Sequence, residues 1–351
     1  MQISFWLTST TRDMNYDNWG KAPMGGAEIS AVQLGEEFLK LGYDVTYYLQ
    51  RAQPFDRDNL HVRRHQQVVD ENHQYFICVR PHKILTTDMN KQVKKILWSG
   101  DAFDQTSNDI FFDKKTAQSM NGFVFKTDWQ SKKMLEKYFY IEPEKVHIIQ
   151  NGIKEEFFQP NGVMPQRNRF IHASTWYRGV HNFVEIWPKI LDKIPDAEIH
   201  VFSKTSLYSE LNPKDLTTWP LIVEKLSQFP GMVLREPVPQ KILAQEMKKA
   251  WLMLYPNSGF VESSCGAALQ SMAAGTPVIT TARAGLKETV KDGGILIEEK
   301  EGWQDEFVKE TINLWSDKEK RNQLADSGHR KALNHSWRIK ATEWTNFLKS
   351  L

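Results

Sequence analysis

Three observations predict an α/β protein of two domains. Short β-branched and aromatic runs alternate with segments whose apolar residues recur at helical spacing, the pattern of parallel strands joined by helices. At 351 residues the chain is long enough for roughly two domains. A stretch at 155–167, carrying Pro160, Gly162 and Pro165, interrupts the alternation near mid-chain and fits a linker. Composition sets further limits. With 40% hydrophobic and 25% charged residues the chain reads as an ordinary folded protein. A net charge of +2 argues against a dedicated nucleic-acid binder. Cys78 and Cys265 are the only cysteines, so no zinc spacing or disulfide framework is expected, which suits a cytoplasmic setting. The apolar start, 1–7, is too short for a signal segment, and the absence of a long apolar run predicts no membrane span.

The first half begins with a strand at 3–7. A polar loop leads to Gly25-Gly26, and Ala27, Ala31, Leu34, Phe38 and Leu41 then mark a helix ended by Gly42. A strand at 45–49 completes a β-α-β unit. The unit lacks a G-x-G-x-x-G fingerprint, which argues against a dinucleotide cofactor. Gly25 and Gly26 place backbone N–H groups at a helix start, although a tight turn needs the same residues. Strands follow at 60–62, 75–79 and 95–98. Ligands gather at the C-terminal ends of parallel strands, which makes Asp101 a site candidate. Asp104 lies three residues on; two lone aspartates in a loop are more often turn and cap residues, and no metal site is expected. A strand at 122–125 precedes a helix capped by Thr127 or Asp128. A strand at 145–150 ends in Asn151-Gly152, a pair that favours a left-handed turn.

The second half opens with a strand at 169–173 and the loop Ser174-Thr175-Trp176-Tyr177-Arg178-Gly179. Val180, Phe183, Val184, Trp187, Ile190, Leu191 and Ile194 line one face of the next helix. Arg178 therefore sits between a strand end and a helix start. Strands at 199–203 and 232–234 and helices at 221–227 and 240–249 continue the alternation. The most informative stretch is 251–281. A buried strand runs to Tyr255, Pro256 stops it, and a turn-rich loop carries Glu262. Ser263 or Ser264 is expected to cap a helix over 266–274. Gly275 and Pro277 end that helix before a strand at 277–281. A helix start gathers free N–H groups and positive potential, so it suits a phosphate. Cys265, Gly266, Ala267 and Ala268 are small enough to let a diphosphate approach. Glu262 would repel phosphate and is expected to face sugar hydroxyls, while Gln270, one turn further in, could reach a ribose. An ordinary capped helix in an α/β domain fits the same residues. Gly293-Gly294 opens another strand, and helices are expected at 303–314, 319–333 and 337–348.

The 251–281 stretch resembles the signature of retaining GT-B glycosyltransferases of the GT4 family. There, two glutamates separated by seven residues flank a strand–loop–helix unit, as Glu262 and Gln270 do here. Glu262-Ser263-Ser264-Cys265 resembles a subgroup with Glu-Thr-Ser-Cys, and Gly275-Thr276-Pro277-Val278 also matches. Gln270 replaces the second glutamate. The resemblance implies two Rossmann-like α/β domains with parallel sheets facing across a cleft. It implies domains at 1–160 and 167–335, with a helix at 336–351 returning to the first. It implies Arg178 on the donor diphosphate, Ser174 beside it, and Lys204 in place of a second basic residue on that loop. Gly25 and Gly26 would border the donor, and Asp101 would lie near the donor sugar or the acceptor. No cofactor or metal is implied. The donor would be a nucleotide-diphosphate sugar, UDP- or GDP-linked, and the acceptor a saccharide or a lipid-linked one, as in polysaccharide biosynthesis. Lys91, Lys94, Lys95, Lys114, Lys115, Lys132 and Lys133 make the first domain locally basic, which suits solvated surface or contact with the anionic inner face of a membrane. A scaffold protein that lost catalysis, or a GT-B phosphorylase or epimerase, are the competing readings.

Overall fold

The computed structural model describes residues 1–8, 13–19, 25–87, 89, 92–108, 113–158, 162–203 and 213–351, with backbone alone at 70 and 213–216. The chain forms two compact units, Met1–Gly152 with Trp337–Leu351, and Ile153–Ser336. The described helices include none long and apolar enough to cross a membrane.

The first unit contains β1 (Gln2–Leu7), α1 (Gly26–Lys40), β2 (Asp44–Leu49), β3 (Phe55–Arg57), β4 (Leu60–Arg64), β5 (Tyr75–Val79), β6 (Lys94–Trp98), α2 (Lys114–Gln118), β7 (Gly122–Phe125), α3 (Asp128–Lys137) and β8 (Val146–Ile148). These strands make one sheet in the order β3-β4-β2-β1-β5-β6-β7-β8. All pairs are parallel except β3 with β4. β1 lies at the centre, covered on both faces, so five of its six residues are buried. α1 buries Ala31, Leu34 and Phe38 against it, and Gly42 at φ 77° ends the helix region as expected.

The second unit contains α4 (Glu155–Phe158), β9 (Gln166–Ala173), α5 (Phe183–Leu191), β10 (Glu198–Phe202), α6 (Pro213–Leu226), β11 (Met232–Arg235), α7 (Gln240–Lys249), β12 (Ala250–Tyr255), α8 (Gly266–Ala273), β13 (Val278–Thr281), α9 (Leu286–Val290), β14 (Gly294–Ile297), α10 (Trp303–Ser316) and α11 (Lys318–Leu333). Its sheet runs β11-β10-β9-β12-β13-β14, all parallel. β12 is buried along its whole length.

α12 (Trp337–Ser350) then returns to the first unit. Trp337, Ala341, Trp344 and Leu348 fall on one helical face and enter the core that α1 and β1 share. The Trp337 indole donates to Gln33 Oε1 at 2.5 Å.

Two expectations need correction. The 155–167 stretch is not simply a linker. Glu155–Phe158 is helical, and Phe157 is buried in the core under α7 and α8. Asn151-Gly152 does not form a left-handed turn, because neither residue has a positive φ. Gly152 is required for another reason: a Cβ there would lie 2.3 Å from the Trp337 ring.

Candidate functional site

In the second unit β9, β10, β12 and β13 end at one edge of the sheet, and the loops after β9 and β12 meet there. Gly179 makes that meeting possible. It takes φ 110°, and a Cβ on it would sit 2.4 Å from the Pro256 carbonyl oxygen. Asn182 donates to Pro256 O at 2.7 Å and to Ser258 Oγ at 2.8 Å, so the two loops are also bonded. The Asn257 carbonyl accepts from Thr281 Oγ1, and Arg283 donates to Gly259 O at 3.3 Å. The loop carrying Glu262 is thus held from β9's side and from β13's side.

On this frame Arg178 Nη1 lies 3.2 Å from Glu262 Oε1. The glutamate side chain is 3% exposed and the arginine side chain 32%, so the pair has a buried end and an open end. The guanidinium also lies over the Phe260 ring, 4.5 Å from its centroid. Burial opposes the arginine's charge, but the Glu262 carboxylate and the neighbouring Tyr255, Tyr177 and Cys265 outweigh it and hold the pKa above its ordinary value. Tyr255, at the end of β12, donates its phenol to the same Oε1 at 2.7 Å and lies 3.4 Å from Ser174 Oγ. Burial, then Cys265 and Glu262, raise the phenol's pKa well above normal, so it remains a donor. His172 on β9 stacks on Tyr255 with ring centroids 5.2 Å apart. Its Nδ1 lies 3.0 Å from Leu254 O, and burial pulls its pKa down to about 4.

α8 begins beside this cluster. The expected serine cap is not made: Cys265 is the N-cap residue, with no side-chain capping hydrogen bond. The helix begins at Gly266 as expected, and the Glu262 carbonyl before it accepts from Gly285 N–H at 2.8 Å. Gly285 must be glycine, because a Cβ would lie 2.0 Å from Ser263 O. Gly266 has open space where a Cβ would stand, and Ala267 beside it is partly exposed. Ala268 and Cys265 are buried, and burial pushes the Cys265 thiol up to about 12. Gln270 is half-buried and donates from Nε2 to Gln240 Oε1 at 2.8 Å. Lys204 lies outside the described residues.

Among the described residues, the buried side-chain atoms with no partner include Arg178 Nε, Thr175 Oγ1, Ser203 Oγ, Asn257 Oδ1, Ser264 Oγ and Thr280 Oγ1 at this edge, and Trp98 Nε1 and Asn108 Oδ1 near Asp101 in the first unit. Each left unbonded costs about 1–3 kcal/mol, so folded proteins keep few of them.

The corresponding edge of the first unit holds a different cluster. Asp101 follows β6, and Arg80 follows β5 in a left-handed conformation at φ 71°. Arg80 donates to Asp101 Oδ1 at 3.3 Å and to Glu28 Oε1 at 3.2 Å. Ser107 Oγ donates to Asp101 Oδ2 at 2.6 Å, so both carboxylate oxygens are engaged. Gln130 donates to the Asp101 and Ser99 carbonyls. Lys126 is buried, donates to Asn151 Oδ1 at 2.5 Å and lies 4.0 Å from the Trp98 ring centroid. Burial lowers its pKa well below normal, with Asp101 working the other way. α1 starts at Gly26 with Gly25 as N-cap, no side-chain cap and open space around Gly26. Arg80, Lys126 and Tyr255 carry no motif signal. Only the rule that pointed to Asp101, position at a strand's C-terminal end, could have found them.

Residues 168–317 match the sequence model of the family described as glycosyl transferases group 1. No curated protein matches the chain. Solved structures extend the likeness to both units. Sucrose-phosphate synthase from Thermosynechococcus elongatus superposes with a TM-score of 0.76 at 12% identity, covering 99% of this chain and 98% of that one. The fold is GT-B. WaaG, a glycosyltransferase involved in lipopolysaccharide biosynthesis, gives 0.74 at 15% identity over 99% of each chain. Anabaena HepE in complex with UDP-glucose gives 0.73 at 12% identity over 100% of each.

Proposed function

We propose that the protein is a retaining, metal-independent glycosyltransferase that moves a sugar from a nucleotide-diphosphate sugar to a saccharide or lipid-linked acceptor. One observation carries the reading: a half-open arginine, paired to a buried glutamate, stands beside an uncapped helix start within a group of unbonded polar atoms. The match of 168–317 to glycosyl transferases group 1 supports it, as does the GT-B neighbour with UDP-glucose bound. UDP- and GDP-sugars are the donors of choice.

In this reading the diphosphate lies between Arg178 and the N–H groups of Gly266, Ala267 and Ala268, with Ser174 at its margin. The bond from the anomeric carbon to the β-phosphate oxygen breaks as the acceptor oxygen bonds the same face of that carbon. The acceptor proton passes to the departing phosphate. Charge grows on that phosphate, and donors already in place stabilise it without reorganisation. Arg suits the task because its charge persists and its fork is planar. Glu262 orients the sugar hydroxyls and Gln270 accepts from the ribose. Gly25 and Gly26 leave the start of α1 open to a ligand. Asp101 acts as a positioning residue through Arg80. Exposed Lys114, Lys115 and Lys132 would favour peripheral contact with anionic lipid, whereas the Lys95 ammonium is bonded to the Leu85 and Thr87 carbonyls and contributes nothing there.

The test is a panel of UDP- and GDP-sugars, read by thermal shift and by release of free nucleoside diphosphate. One donor should raise Tm, and slow hydrolysis should release its nucleotide. Stabilisation without any turnover, with or without saccharide acceptors, would favour the scaffold reading.

A further inference from the structure

Glu262 has two functions to perform in the proposed reaction, and they conflict. Its carboxylate serves the sugar, yet in the unliganded protein its Oε1 holds Arg178, the group meant for the diphosphate. Tyr255 donates to the same oxygen at 2.7 Å. An incoming diphosphate therefore competes for the guanidinium with a carboxylate that is 3% exposed. Losing the arginine is costly for a carboxylate that water cannot reach, unless another donor replaces it. The hydroxyls of an intact sugar donor supply such a replacement. A bare nucleoside diphosphate does not.

Resting on the reading above, we infer that Glu262 discriminates between sugar nucleotide and nucleoside diphosphate by competing for Arg178. With sugar present, the carboxylate is satisfied by hydroxyls and releases the arginine to the phosphates. Once the sugar has left, the carboxylate reclaims the arginine and promotes departure of the product. Tyr255 tunes the competition as a positioning residue. Its phenol supplies part of the carboxylate's hydrogen bonding, so Glu262 depends less on Arg178 than it otherwise would. The device needs no moving loop, only one side-chain contact made or lost.

The test uses the full chain, with UDP, GDP and the best nucleotide-sugar from the panel, titrated by calorimetry. Glu262→Gln keeps the side chain's shape and a carbonyl oxygen for Tyr255 but removes the charge that competes. It should bind the free nucleoside diphosphate roughly tenfold more tightly than wild type, with product inhibition strengthened in step. Its preference for the sugar nucleotide over the diphosphate should shrink. Tyr255→Phe should act in the opposite sense and weaken diphosphate binding, because the carboxylate then leans harder on Arg178. Opposite signs in the two variants support the inference; general damage to the site would weaken both. Wild-type diphosphate binding that Glu262→Gln leaves unchanged or weakens overturns the inference alone. Wild type binding no diphosphate or sugar nucleotide at all overturns the proposed donor site and the inference with it.

Discussion

The two units carry arginines at equivalent places, just beyond a strand's C-terminal end, and use them differently. Arg80 in the first unit is shared between two carboxylates, from Glu28 on α1 and from Asp101 after β6, with side-chain exposures of 1% and 11%. Ser107 takes the remaining Asp101 oxygen, and Lys126 nearby is bonded to Asn151. Arg178 in the second unit has one carboxylate, which it shares with Tyr255, and its Nε meets no partner. Arg80 bridges two carboxylates, and Arg178 holds one and keeps an unbonded Nε. Replacing Arg80 should register chiefly in stability, and replacing Arg178 in binding and rate as well.

The sharpest way to break that comparison is to remove each arginine in turn. Arg80→Ala leaves the buried Glu28 and Asp101 carboxylates without their shared cation, and breaking such a pair typically costs about 3–5 kcal/mol. Urea unfolding should show a loss of that order. Arg178→Ala leaves the buried Glu262 carboxylate with the Tyr255 bond alone, so stability should fall there too. Turnover should fall on the order of a hundredfold, as for loss of one preorganised donor. Wild-type turnover in Arg178→Ala, or unchanged stability in Arg80→Ala, would erase the distinction between the two arginines.

A second prediction concerns acid. His172 is fully buried, its Nδ1–H donates to Leu254 O, and its Nε2 has no partner. Protonation would bury a second N–H with nothing to receive it. Burial accordingly depresses the folded pKa to about 4, against 6.5 for an ordinary imidazole. Between those pH values the unfolded chain binds the extra proton, so stability rises with pH through that window. The stabilisation is complete above about pH 6.5, falls as pH drops toward 4, and amounts to about 3 kcal/mol. Unfolding followed from pH 7.5 to 4 should show the loss, and His172→Gln should flatten the curve while lowering its plateau. A curve of unchanged shape in that variant would mean other groups set the acid response.

Much of the architecture was legible because local pattern and tertiary demand agree. The strands at 75–79 and 122–125 are apolar runs with turns on either side, and they occur as Tyr75–Val79 and Gly122–Phe125. α12 was readable from Trp337, Ala341, Trp344 and Leu348, which suit no face but a buried one. Other features were not encoded locally. Phe157 in a Pro- and Gly-bearing stretch looks like linker until α7 and α8 cover it. Ser263 and Ser264 have cap chemistry, but Cys265 takes the N-cap position. Tyr255 reads as the apolar end of a strand. Its hydroxyl acquires meaning only because the loop folds back to bring Glu262 to it. Arg80 and Lys126 look like surface charge in sequence, but partners from distant elements hold the first half-buried and the second buried.

The smallest expected effect tests whether α8 belongs to the proposed donor site around Arg178 along its first two turns or only at its start. Gln270 donates to Gln240 at 2.8 Å, which leaves its own carbonyl as the acceptor for a ribose hydroxyl. In Gln270→Glu a carboxylate takes that place. It can still meet the Gln240 side-chain amide once that amide turns, and it accepts from a hydroxyl about twice as strongly as a neutral oxygen does. Nucleotide affinity should improve roughly threefold to tenfold, with turnover within about twofold of wild type. The same change would be close to silent if position 270 faced only Gln240, because one hydrogen bond within the unit would replace another. Isothermal titration with the nucleoside diphosphate separates the two outcomes. Tighter binding extends the receptive surface from Arg178 past the helix start to the second turn. Abolished activity or weaker binding would remove Gln270 from the site and confine the open edge to the loops after β9 and β12.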